Sequence, residues 1–129
     1  MAKKVKTIGL VELVRVYGEK GSVVKKALFD TGATSTSIDL KLAAKIGIGP
    51  IVGAKRVVSA SNPVGKLRPV AEAKIKVKGQ KIKVKANIED RSGLKYKVLV
   101  GRDVIHNNFM IDPSVTHSTH KLADLHEEK

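Results

Sequence analysis

One short polar segment, Asp30-Thr31-Gly32-Ala33, directly follows the apolar run Ala27-Leu28-Phe29 and occurs only once in the chain. An apolar run of this kind predicts a buried strand whose end presents the Asp30 carboxylate, and Gly32 permits a tight turn just after it. A carboxylate in such a place can do acid–base chemistry when a second group shares its proton. The alternative is an ordinary strand-to-turn connection, because Asp, Thr and Gly all favour turns.

Size and composition exclude several classes of protein. The 129 residues suit one domain with a core of its own and leave no room for a second half that repeats Asp-Thr-Gly. The chain has no cysteine, which excludes disulfides, thiolate metal sites and cysteine nucleophiles. We find neither a signal peptide nor a membrane span, and we therefore expect a cytoplasmic protein without a membrane partner.

The net charge of +13 is the most unusual property of the composition. A strongly basic chain raises the prospect of a nucleic-acid or acidic partner. However, the positive charge is mostly lysine, and the chain has no Trp, two Phe and two Tyr, whereas single-stranded nucleic acids are usually bound by aromatic or arginine planes. A solvated lysine-rich surface is therefore favoured, and nucleic-acid binding is the less favoured alternative.

The pattern along the chain predicts strands joined by turns, with one or two short helices. Asp39 is a predicted N-cap for a helix over residues 40–46 that stops at Gly47, and a single helical turn is expected over 104–107. Residues 50–53 are interpreted as a connector and 89–93 as a loop. Strands are predicted over residues 7–17 (one strand or a bent pair of strands), 23–29, 56–59, 67–71, 74–78, 81–85, 96–100 and 109–111.

The clearest alternation lies on both sides of a predicted two-residue turn at Gly79-Gln80. It predicts a hairpin with Ile and Val on one face and lysines on the other. A solvated face that blocks edge-to-edge pairing is the favoured interpretation of these lysines, over a binding patch. The six lysines are Lys74, Lys76, Lys78, Lys81, Lys83 and Lys85.

A second segment, the apolar strand Val98-Leu99-Val100 followed by Gly101-Arg102-Asp103, completes a resemblance to the retropepsin-like aspartic proteases. That family places the two segments in this order, with a flap hairpin between them, and the resemblance covers about residues 23–111. It implies an all-β fold, a closed and mostly antiparallel β barrel with one or two short helices, working as a symmetric homodimer. We expect the protease domain over residues 1–113 and a polar C-terminal tail over 114–129.

The resemblance implies that Asp30 is the catalytic residue and that it pairs with Asp30 of a second chain. Two carboxyl groups a few ångströms apart share one proton. The ionised group then activates a water, and the protonated one stabilises the oxyanion of the peptide carbonyl. Thr31, Gly32 and Ala33 would build the active-site loop, with Thr31 reaching across the dimer. The resemblance implies no metal and no organic cofactor.

Structural support for this loop is expected from Gly101, Arg102 and Asp103. Gly101 would let its strand pack closely beneath the loop, and Arg102 with Asp103 resembles the structural pair of the family. Retroviral members usually have an acidic residue at the position of Thr34, and it pairs with the arginine. The partner of Arg102 is therefore open, with Asp103 or a carboxylate of the other chain as candidates.

Two further departures bear on activity. Ala33 stands where pepsin-like enzymes usually have Ser, and it cannot donate the hydrogen bond that favours the ionised carboxylate, so activity is expected to extend closer to neutral pH. The candidate flap, residues 60–65, has Pro63 and a single Gly65, which predicts a stiffer tip than in retroviral enzymes. Its main chain is expected to bind an extended peptide by strand addition at Ser59, Ala60, Ser61 and Asn62.

The favoured function is an aspartic endopeptidase that hydrolyses extended polypeptides. The main alternative is a retropepsin-fold dimer without useful proteolysis, acting as a basic module that binds nucleic acid or protein. A weaker one is a structural domain cut from a longer polyprotein. The spacing of His117, His120 and His126 with Asp124 is compatible with a metal site, but a polar tail is the favoured interpretation.

Overall fold

The computed structural model describes residues 4–115, which form nine strands and two short helices. This part of the chain is mostly β, as the sequence predicts. The polar tail from residue 116 onward, with His117, His120, Asp124 and His126, lies outside the described residues. The elements are β1 (Lys6–Ile8), β2 (Val11–Gly18), β3 (Gly21–Phe29), β4 (Ser37–Asp39), α1 (Leu40–Ile46), β5 (Ile51–Ser59), β6 (Asn62–Val77), β7 (Gln80–Glu89), β8 (Val98–Val100), α2 (Arg102–Ile105) and β9 (Phe109–Ile111).

Seven of these strands form one sheet in the order β2-β3-β8-β4-β7-β6-β5, and β6 also pairs with β2. β1 and β9 form a separate parallel pair. The β3–β8 and β4–β7 pairs are parallel as well, and the other five pairings of the seven-stranded sheet are antiparallel. The closed barrel and the symmetric homodimer stay predictions.

The core forms where the alternating apolar residues of the strands meet the buried face of α1. Val14 and Val16 of β2 are fully buried and pack in one cluster with Ile75 and Val77 of β6. Phe29, at the end of β3, meets Phe109 of β9 edge to face, with ring centroids 6.1 Å apart. Phe29 thus belongs to the hydrophobic core, which anchors the strand that presents Asp30.

The helix α1 has the bounds that the sequence predicts. The Asp39 side chain accepts a hydrogen bond from the Leu42 N–H at 3.2 Å, which caps the first turn. Gly47 ends the helix in the left-handed conformation, with φ of 75°. Both ends of this helix are set by contacts between residues a few positions apart. The sequence alone is therefore sufficient to predict its bounds.

The β5–β6 hairpin differs from the prediction. Residues 51–53 belong to β5 rather than to a connector, and β6 is one strand of 16 residues rather than two. The turn contains only Ala60 and Ser61, because Ser59 pairs with Asn62 across it. Almost every residue of β5 is exposed, so the strand carries no alternating pattern that a sequence could reveal.

The β6–β7 hairpin forms as predicted, but its turn is shifted by one residue. Val77 pairs with Gln80, and the turn residues are Lys78 and Gly79, both with positive φ. The lysine face is mostly exposed, as expected, except that Lys76 is only 5% exposed. β2 pairs with β6 at this point, with Arg15 opposite Lys76, so that part of the face has a neighbouring strand beside it.

Candidate active site

Asp30 lies at the junction of the two segments that the sequence singled out. β3 and β8 run parallel with Phe29 opposite Val100, and the Asp30 N–H donates to the Val100 carbonyl at 2.9 Å. The Asp30 residue is partly exposed, whereas its neighbour Phe29 is buried. The pairing therefore holds a carboxylate at the surface, on a backbone fixed by the core.

The three residues after Asp30 form a tight loop around its carboxylate. The Gly32 N–H donates to Asp30 Oδ1 at 2.8 Å, and the Ala33 N–H donates to the Asp30 carbonyl at 3.1 Å. Thr31 and Gly32 are exposed. A backbone N–H of the loop thus orients one oxygen of the Asp30 carboxylate, and the loop residues Thr31 and Gly32 face solvent.

Gly101 packs against this loop more closely than any other residue type would allow. A Cβ at this position would lie 2.7 Å from the Ser35 carbonyl carbon and 2.9 Å from the Ala33 carbonyl oxygen. The next residue, Arg102, donates its N–H to that same Ala33 oxygen at 2.8 Å. The absence of a side chain at Gly101 therefore brings the end of β8 into hydrogen-bond contact with the loop.

Asp103 holds the far end of the loop segment through Thr36. Its Oδ2 accepts from the Thr36 N–H at 2.9 Å and its Oδ1 accepts from the Thr36 hydroxyl at 2.8 Å. The Thr36 hydroxyl oxygen also accepts from the Gly101 N–H at 3.2 Å. Because Thr36 is fully buried, these bonds satisfy polar groups that water cannot reach.

The partner of Arg102 is a backbone group. Its Nη1 donates to the Thr31 carbonyl at 2.6 Å, and the carboxylate of Asp103 is engaged by Thr36. At Thr34, where retroviral members carry an acid, the hydroxyl accepts a hydrogen bond from Lys55 of β5 at 3.4 Å. Within the chain, Arg102 is therefore held by the Thr31 carbonyl, and a carboxylate of a second chain stays a prediction.

The predicted flap residues lie at the exposed tip of the β5–β6 hairpin. The Ser59 hydroxyl lies 3.1 Å from that of Ser61 and accepts from the Asn62 N–H at 3.2 Å. The Asn62 side chain accepts from the Gly65 N–H at 3.2 Å. These bonds are all local to the tip, whose stiffness stays a prediction. The Lys55 contact with Thr34 connects the same hairpin to the Asp30 loop.

A polar network that the sequence reasoning missed joins the base of this hairpin to the loop. Glu89 forms ion pairs with Arg68 of β6 at 2.8 Å and with Arg91 at 3.1 Å, so it is not the loop residue expected. Asn87 is 2% exposed and donates to the Ser35 hydroxyl at 3.1 Å. The sequence signal for this network is Asn87, a polar residue between the apolar residues Ala86 and Ile88 of β7.

Comparison with known proteins agrees with this arrangement. The model of a family described as aspartyl protease matches residues 14–104, and the chain belongs to that family. Its fold is retropepsin-like. No curated protein sequence matches the chain.

Two solved structures illustrate the likeness of fold. The protein Lpg0085 of unknown function (DUF785) from Legionella pneumophila is 22% identical with a TM-score of 0.62, over 91% of this chain and 100% of that one. The EIAV protease, solved with the inhibitor HBY-793, is 17% identical with a TM-score of 0.60, over 75% of this chain and 85% of its own.

Neither helix of the described chain is long enough to cross a membrane.

Proposed function

We propose that the protein is an aspartic endopeptidase that acts as a homodimer, with one Asp30 carboxylate from each chain at a shared site. The observation that carries the proposal is the fixed Asp30 loop, bound to β8 by its backbone and to Gly101 by close packing. One chain supplies one such carboxylate, and the reaction needs two. Membership of the aspartyl protease family supports the same chemistry.

In this mechanism the two Asp30 carboxyl groups share one proton. The ionised group takes a proton from a water that attacks the peptide carbonyl, and the protonated group donates to the developing oxyanion. Thr31 and Gly32 form the loop, while Arg102 and Asp103 position it. The substrate is an extended polypeptide that the flap residues Ser59 to Asn62 cover by strand addition, and neither a metal nor an organic cofactor takes part.

Cleavage of an unfolded protein from pH 3 to 7, with and without a pepstatin-like inhibitor, tests the proposal. Asp30→Asn is expected to abolish cleavage while Asp90→Asn, at an exposed loop carboxylate, leaves it unchanged. In mixtures of wild type with Asp30→Asn, a two-chain site predicts that activity falls with the square of the wild-type fraction. Activity that survives in Asp30→Asn, or a strictly monomeric active protein, refutes the mechanism.

A second candidate is a retropepsin-fold dimer that binds a partner without cleaving it. The basic exposed face of the β6–β7 hairpin favours this candidate, together with the net charge of +13. Salt-sensitive binding to RNA or DNA that persists in Asp30→Asn, combined with no cleavage by the wild type, would support it.

A further inference from the structure

A basic groove lies at the opposite end of the sheet from Asp30. It has a volume of about 590 Å³, and its walls come from the end of β2, the segment after α1, and strands β6 and β7. The lining residues that matter here are Tyr17, Glu72, Lys74, Lys81, Lys83 and Lys85. None of the proposed catalytic or flap residues contributes to it.

The separation of the groove from Asp30 follows from the strand register. Val11, at the start of β2, pairs with Leu28 two residues before Asp30, whereas Tyr17 lies near the other end of β2. Six residue steps along a strand span about 20 Å. A ligand in the groove therefore leaves the Asp30 loop unobstructed.

Two lysines of the groove stand opposite one another across the β6–β7 ladder. Lys74 pairs directly with Lys83. Like charges in directly opposed positions destabilise a sheet unless an anion lies between them. Glu72 stands opposite Lys85, and Glu19 also lines the groove, so the four lining lysines exceed the acids by two charges.

The spacing and chemistry of this face indicate the kind of anion. Alternate residues of a strand project on one face about 7 Å apart, which is also the spacing of alternate side chains in an extended peptide. The one aromatic ring of the groove, Tyr17, has the Lys81 ammonium 5.7 Å from its centroid, so that face is not open for a stacked base. An acidic peptide therefore fits better than a single-stranded nucleic acid.

Tyr17 provides a second, independent observation. Its hydroxyl is buried and has no hydrogen-bond partner among the described residues. A buried hydroxyl without a partner is unfavourable. The Tyr17 side chain would have to turn toward the groove to donate this hydroxyl to a ligand carboxylate.

We propose that this groove binds an acidic, extended segment of a polypeptide at a distance from the Asp30 loop. This inference deepens the proposed function. Only the identification of the bound polypeptide as a substrate rests on the proposed function, because the binding itself does not require cleavage. The acidic segment of a good substrate would then lie at least about six residues from the bond that is cut, to span the 20 Å or so between the two places.

Fluorescence anisotropy with a labelled hexaglutamate peptide tests the binding. The comparison peptide is hexaglutamine, and a single-stranded oligothymidine of similar length is the nucleic-acid probe. The protein variants are Lys74→Gln with Lys83→Gln in the groove, and Lys26→Gln with Lys41→Gln as a control at two exposed lysines outside it. Both pairs remove the same charge.

Hexaglutamate is expected to bind more tightly than hexaglutamine. The double substitution in the groove is expected to weaken the affinity for hexaglutamate roughly five- to tenfold, whereas the control double substitution should change that affinity less than about twofold. An equal loss in both pairs, or tighter binding of oligothymidine, overturns the proposal. The same measurement on Asp30→Asn should match wild type. Binding without any cleavage would refute the endopeptidase but keep the groove, whereas cleavage without hexaglutamate binding would refute the groove alone.

Discussion

Arg102 donates a hydrogen bond to the Thr31 carbonyl across 71 positions of sequence, with 2.6 Å between Nη1 and the oxygen. The guanidinium thereby fixes the backbone of the residue next to Asp30, and no carboxylate among residues 4–115 pairs with it. Because Arg102 is exposed, the contact contributes little to folding and more to the geometry of the loop.

Arg102→Ala is expected to lower kcat/KM for peptide cleavage roughly 10- to 100-fold, because a loosened loop misplaces the Asp30 carboxylate. The midpoint of urea unfolding should change little. Arg102→Lys keeps one donor and should recover part of the activity. A variant with full activity, or one that loses stability in proportion to activity, would show that Arg102 does not position the loop.

Gly101→Ala is expected to destabilise the fold by about 1–3 kcal/mol, because the new Cβ would lie 2.7 Å from a backbone atom of Ser35. Urea denaturation measures the effect. Gly93→Ala is the matched control, since a Cβ there meets nothing within 4 Å. Equal stability of the two variants would mean that β8 can shift away from the loop.

Asp103→Ala should cost about 1–3 kcal/mol of unfolding free energy, because it removes both acceptors of the buried Thr36 N–H and hydroxyl. Asp103→Asn keeps one carbonyl acceptor and should lose less. Asp90→Ala removes an exposed carboxylate with only local bonds and serves as the control. A neutral Asp103→Ala would indicate that water replaces both bonds.

Ala33→Ser is expected to shift the pH–rate profile of cleavage toward acid, because the hydroxyl can donate a hydrogen bond that favours the ionised carboxylate pair. The wild type should retain activity closer to neutral pH than the variant. The profiles of kcat/KM from pH 3 to 7 make the comparison. A wild-type optimum below about 3, where pepsin-type pairs are half-protonated, would contradict the explanation.

Tyr17→Phe removes a buried hydroxyl that has no partner among the described residues. The free protein is therefore expected to be as stable as wild type or more stable by up to about 1 kcal/mol. Thermal unfolding without ligand measures this. The same variant should bind hexaglutamate more weakly, and a clear loss of stability in the free protein would mean that the hydroxyl has a partner after all.

The sequence alone located the features that depend on neighbouring residues. The sequence predicts the Asp39 cap, the helix to Ile46 and the Gly47 stop to the residue, because capping is a contact within one turn. The apolar runs before Asp30 and Gly101 likewise marked two strands and a candidate site. The sequence does not predict β6 as one strand of 16 residues. The exposed strand β5 and the N-terminal part of β6, next to the turn, lack a two-residue period.

Tertiary structure decided which of these features meet. The parallel pairing of β3 with β8, the contact of Thr36 with Asp103 and the bond from Arg102 to Thr31 each join residues more than 60 positions apart. The burial of Lys76 depends in the same way on β2 crossing beside β6. A side-chain period reports which face of a strand is buried, but the neighbour against which it is buried depends on the packing of the whole chain.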